Sequence, residues 1–93
     1  MAIAGMEISL RLFDTYSLKD KRSVVKSMTR KMQNKFNISI AEIAQQDMLN
    51  EAVIGISVVS NTYQAANKML DTVLYEIEEQ FEIEVFRVER FEV

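Results

Sequence analysis

The sequence predicts one α+β domain in which four strands form an antiparallel sheet and two helices cover one of its faces, in the order βαββαβ. Three observations carry this reading. Residues 3–13 alternate in a strict period of two, as a strand with one buried face does. Residues 17–36 repeat apolar side chains at three- and four-residue steps, as an amphipathic helix does. The same pair of patterns returns in the second half, as an apolar strand at 52–59 and a second helix opening at Asn61. In 93 residues with no proline and two glycines there is no linker, low-complexity tract or tandem array, so residues 1–93 read as a single domain.

The first strand places Met6, Ile8, Leu10 and Leu12 on one face and Glu7, Ser9, Arg11 and Phe13 on the other. Asp14, Thr15 and Tyr16 turn the chain into the helix, whose apolar stripe is Leu18, Val25, Met28, Met32 and Phe36. Ser17 is a favourable N-cap, and Asp20 three residues on supplies an approximate capping box. In the next strand Ile38 and Ile40 share a face but Ile43 is out of phase, which predicts a bulge near Ala41–Glu42. Asp47 to Glu51 is a polar turn. Ala52 to Val59 is almost continuously apolar, as a central strand is, with Ile54, Ile56 and Val58 inward. Asn61 is expected to cap the second helix with Gln64 as its partner, and Ala66, Met69, Leu70, Val73, Ile77 and Phe81 form its stripe. Ile83 to Val93 is a last strand whose phase slips between Val85 and Phe86. Two right-handed βαβ crossovers interleaved in this order make a ferredoxin-like plait.

Charge is concentrated on the first helix. Ser17–Phe36 holds seven of the eleven basic residues, Lys19, Lys21, Arg22, Lys26, Arg30, Lys31 and Lys35, against the single acid Asp20. Its net charge is +6 in a chain of net charge −3, so the remainder carries −9. At about 100° per residue, Lys19, Arg22, Lys26 and Arg30 fall within a stripe roughly 80° wide beside the apolar face. Lys31 and Lys35 lie off it. Lys19, Lys21 and Arg22 crowd the first turn, where the helix dipole disfavours cations and free backbone N–H groups attract anions. Lys21 points toward the apolar side, so it has to snorkel or reach around the end of the sheet.

Composition excludes several chemistries. With neither Cys nor His, there are no disulfides, thiolate sites, imidazole ligands or His-based catalysis. Glu76, Glu78, Glu79, Glu82 and Glu84 crowd together, but as a solvated helix end and edge strand. No stretch has calcium-loop spacing, and there is no P-loop, dinucleotide fingerprint or nucleophile elbow. No metal, no cofactor and no enzymatic activity are expected. The apolar runs are too short to span a bilayer and the N-terminus lacks a signal peptide's basic start, so the expectation is a cytoplasmic protein without a membrane partner.

Ser17-Leu-Lys-Asp-Lys-Arg22, Phe36-Asn-Ile-Ser-Ile-Ala-Glu42 and Gly55-Ile-Ser-Val-Val-Ser-Asn61 together resemble the three signature segments of the YlxP-like proteins. These are small bacterial proteins grouped as a domain of unknown function, and the resemblance spans nearly the whole chain. It implies a ferredoxin-like fold. Members are often encoded beside transcription-elongation, translation-initiation and ribosome-maturation genes, which implies by association a role near the ribosome or its RNA. No catalytic residues are established for the family, so none carries over.

Two binding surfaces follow. The first is an RNA- or anion-binding set, Lys19, Lys21, Arg22, Lys26 and Arg30, for ribosomal RNA, a ribosomal subunit or another structured RNA. RNA-recognition motifs share this strand and helix layout and stack bases on central-strand aromatics. Here Phe13 is the only aromatic expected on that face, so phosphate contacts along the helix are favoured over base readout. The second surface is the open sheet face, where Ile3, Phe13, Ile43, Val53 and Val59 would serve a homodimer or another protein partner.

Overall fold

In a computed structural model describing residues 1–93, the chain runs β1 (Ala2–Leu12), α1 (Leu18–Lys35), β2 (Ser39–Ala44), β3 (Glu51–Ser60), α2 (Tyr63–Gln80) and β4 (Ile83–Glu92). The sheet order is β2-β3-β1-β4, with every neighbouring pair antiparallel. β1 and β3 are central, paired from Ala2↔Ser60 to Arg11↔Glu51. α1 packs over β2, α2 over β1 and β3, and the opposite sheet face carries no helix. The ferredoxin-like plait expected from the pattern is the fold observed.

The core lies between helices and sheet. Met6, Ile8 and Leu10 of β1 and Ile54 and Ile56 of β3 meet Met28 and Met32 of α1 and Leu70, Val73 and Ile77 of α2, all buried. Burying each such side chain contributes about 1.5–3 kcal/mol, which makes this layer the main stabilising term. No helix is long and apolar enough to cross a membrane.

Ser17 caps α1 as expected, its Oγ accepting from Asp20 N at 3.1 Å. The return bond differs from a capping box: Asp20 Oδ2 accepts from Tyr16 N at 3.2 Å, one residue before the cap. At α2 the cap is Thr62 rather than Asn61, with Thr62 Oγ1 accepting from Ala65 N at 3.1 Å. The hydroxyl at Thr62 is one residue nearer the first helical turn than Asn61, so Gln64 has no cap to reach back to.

Both anticipated irregularities occur. The β2–β3 register shifts between Glu42 and Ala44, leaving Ile43 as the extra residue, one to two positions past the expected Ala41–Glu42. The β1–β4 register shifts between Ser9 and Leu10, so that Val85 pairs with Leu10, Arg87 with Ser9, and Phe86 bulges out. Beyond this bulge Val88, Arg90 and Glu92 stand opposite the inward-facing Ile8, Met6 and Ala4, while Arg87, Glu89 and Phe91 join the open face.

Because β1 and β3 are bonded on both sides, their amides should exchange most slowly. Hydrogen exchange followed by NMR is expected to show stronger protection in residues 3–12 and 52–59 than in β2 or β4. Equal or inverted protection would contradict the strand order.

Candidate nucleic-acid interface

The basic helix divides by direction. Lys31 and Lys35 face α2: Lys31 Nζ lies 5.4 Å from the Phe81 ring centre, and Lys35 Nζ donates to Glu76 Oε2 at 2.9 Å. Lys19, Arg22, Lys26 and Arg30 are all exposed and lie on the other flank, away from α2. The chain forms five ion pairs, Arg11–Glu84, Lys21–Glu42, Lys35–Glu76, Arg87–Glu89 and Arg90–Asp71, and none uses one of these four cations. Two acids of α2 have partners outside the stripe. Glu76 takes Lys35 and Gln80, and Asp71 takes Arg90.

Lys21 is a correction. Its place in the basic first turn puts it in the expected anion-binding set, but it is wholly buried, at 0 % exposure, and cannot touch a partner. Its Nζ donates to Gln45 O at 2.5 Å and lies 2.8 Å from Glu42 Oε2. The Glu42 oxygen receives the charge off the hydrogen-bonding direction and has no aligned donor. The side chain does reach around the end of the sheet, but it stops at the β2 bulge instead of reaching water. With Lys21 buried, Ser17 Oγ on Asp20 N and the Asp20 carboxylate beside the first turn, the helix N-terminus is not an open anion site.

Two further bonds tie the same end together. Thr15 Oγ1 donates to Leu49 O at 2.8 Å, and Leu12 N to Asn50 O at 2.8 Å. Gln45 O also accepts from Met48 N at 3.1 Å, and Gln45 itself sits at φ 64°. That left-handed conformation costs a non-glycine residue about 1–2 kcal/mol, and the two bonds to its carbonyl hold it there.

The expected residues Ile3, Phe13, Ile43, Val53 and Val59 do not all lie together on the open face. Ile3 pairs with Val59 at one end of the sheet, and Val53 pairs with Ser9 and Ala44 nearer the other. Small residues, Gly5, Ser57, Ser39, Ala41 and Gly55, lie between them. Ile43 rests over Gly55, and a Cβ on Gly5 would run into the Phe91 ring. Phe13, 49 % exposed, lies just past the end of β1. Phe13 is not the only aromatic there, because Arg11 stacks on Phe86 with 5.0 Å to the ring centre and Phe91 covers Gly5. Strict alternation from the inward Val85 puts Phe86 on this face but Phe91 on the inner one; the bulge brings Phe91 across. No cluster of three or more acidic side chains is arranged to hold a metal ion.

The architecture defines a small ferredoxin-fold protein. Two solved structures share it: a de novo designed protein with ferredoxin fold, at TM-score 0.62 and 15 % identity over 99 % of this chain and 85 % of that one, and the de novo designed protein Foldit4, at TM-score 0.54 and 14 % identity over 96 % of both. At such identities the likeness is one of fold alone. The family is given by sequence. Residues 3–90 match the model of the protein family of unknown function DUF503, and the chain belongs to that family. It is 42 % identical over 82 residues to the uncharacterized protein YlxP of Bacillus subtilis, covering 88 % of this chain and 89 % of that protein.

Lys21→Met should leave the Glu42 carboxylate with no partner and destabilise the fold by about 3 kcal/mol in urea denaturation. Lys21→Met with Glu42→Leu should recover most of that loss. A double variant as unstable as the single would show that the pair is not the source. A second expectation concerns Glu76, whose carboxyl is held below its ordinary range first by the hydrogen bond from Lys35, against a smaller opposing effect of burial. A depressed folded pKa contributes stability at neutral pH that is lost as pH falls through that folded value. Lys35→Met should therefore raise the Glu76 pKa seen by NMR titration and flatten the acid side of the stability profile.

Proposed function

We propose that this protein is a non-enzymatic binding module that docks on ribosomal or other structured RNA through the α1 stripe. One observation carries the reading: four cations, Lys19, Arg22, Lys26 and Arg30, stand exposed on one flank with no carboxylate partner, while five of the other seven are ion-paired. Exposed cations without internal partners contribute little to the fold, so their concentration on one line of a net acidic chain is accounted for by an external anion. Neither the family nor the fold points to catalysis. The open sheet face, where Ile43 and Phe91 flank a shallow hollow beside Gly55, is the alternative surface, for a homodimer or another protein partner.

Reversing Lys19, Arg22, Lys26 and Arg30 to Glu should abolish binding to purified ribosomal subunits while shifting the thermal midpoint little. Each lost phosphate contact should flatten the dependence of log affinity on log salt by roughly 0.7–0.9. Lys68→Glu, which removes an unpaired cation on α2, is the matched control. Undiminished subunit binding by the reversed variant would overturn the proposal.

A further inference from the structure

We infer that the RNA segment this stripe fits is double-helical, gripped by its phosphate backbone and not read through its bases. The inference rests on the docking reading above and adds the form of the nucleic acid. At about 1.5 Å rise per residue, Lys19, Arg22, Lys26 and Arg30 are spaced along the α1 axis by about 4.5, 6 and 6 Å, close to 17 Å in all. A DNA duplex carries about one phosphate per 1.7 Å of its axis with both strands counted, so roughly ten lie along that length. Only those on the near side meet α1, and a double helix of either nucleic acid is dense enough in phosphate for four flexible cations to find partners. An unpaired strand offers a much lower charge density.

The surroundings of the stripe agree. Proteins that hold single strands combine a basic groove with aromatic side chains on which bases stack. The stripe lies on the convex flank of a helix, and its neighbours on that helix are Ser23, Ser27 and Gln33, polar groups suited to phosphate and ribose oxygens. Phe86 and Phe91 belong to the sheet face turned away from the helices, so a strand tracking α1 cannot stack on them. Tyr16, exposed just before α1, is a single ring at the end of the stripe and not a stacking platform along it. Base readout by the helix is also disfavoured, because the major groove of A-form RNA is too narrow for side chains to read. The rest of the molecule orients the contact: residues 63–92 hold eight acids against three bases, so α2 and β4 repel a polyanion that α1 attracts.

The experiment compares one RNA duplex of about two helical turns with each of its unstructured strands, at several salt concentrations, using the full chain and a variant with all four stripe cations changed to Gln. The duplex should bind at least tenfold more tightly than either strand, with a log–log salt slope near −3.6 for about four contacts. Scrambling its sequence should change affinity less than twofold, and the Gln variant should lose the binding. A strand that binds as tightly as the duplex, in a manner lost in the Gln variant, overturns the duplex inference and leaves the docking reading standing. Duplex binding that the Gln variant retains overturns both, as does the absence of binding to any of these RNAs.

Discussion

The buried Lys21 ammonium is the interaction on which the arrangement of the basic end depends. A lysine at a helix N-terminus is unfavourably placed by the helix dipole, and one without solvent access also loses its hydration. It is retained because β2 carries a carboxylate and an exposed carbonyl to the same point, Glu42 beside the bulge and Gln45 just after it. The bulge at Ile43, the left-handed Gln45 and the loop bonds from Thr15 and Leu12 all converge there. Pairs of this kind seldom add net stability over an apolar replacement, but they penalise any alternative alignment of the elements they join. Here they join α1 to the edge strand beneath it.

That junction separates two classes of cation on one helix. Lys21, Lys31 and Lys35 face inward or toward α2 and are compensated within the molecule, by Glu42, by the Phe81 ring and by Glu76 respectively. The four on the outer flank are not. Most acids of the second half sit on α2 and β4, where two of the three basic residues, Arg87 and Arg90, are already paired. The result is a polarised domain, positive along one flank of α1 and negative across the opposite side.

The sheet is shaped by its two bulges. Each inserts one residue on an edge strand, Ile43 on β2 and Phe86 on β4, and each changes which side chains the open face displays. Ile43 comes to lie over Gly55, Phe86 against Arg11, and Phe91 over Gly5. Close approach distinguishes the two glycines: a Cβ at Gly5 would occupy the space of the Phe91 ring, whereas one at Gly55 would meet Ile43 at 3.1 Å, a tight contact. Charged pairs along β4, Arg11 with Glu84 and Arg87 with Glu89, also discourage pairing of that free edge with another strand.

Period and charge along the chain by themselves determined the βαββαβ order, the inward faces of β1, β3 and both helices, the Ser17 cap and the segregation of the stripe from Lys31 and Lys35. Those properties are local, because a side chain's direction follows from its position in a strand or helix. The cap at Thr62 escaped because adjacent Asn and Thr are both good caps and only the backbone decides between them. Which cations remain free could not be read from spacing, since pairing depends on carboxylates far off in sequence: Glu42 for Lys21 and Glu76 for Lys35. Spacing turns Lys21 toward the apolar side and Lys19 away from it, but leaves open whether the Lys21 ammonium reaches water. Only the packing of α1 against β2 buries the first and leaves the second in water.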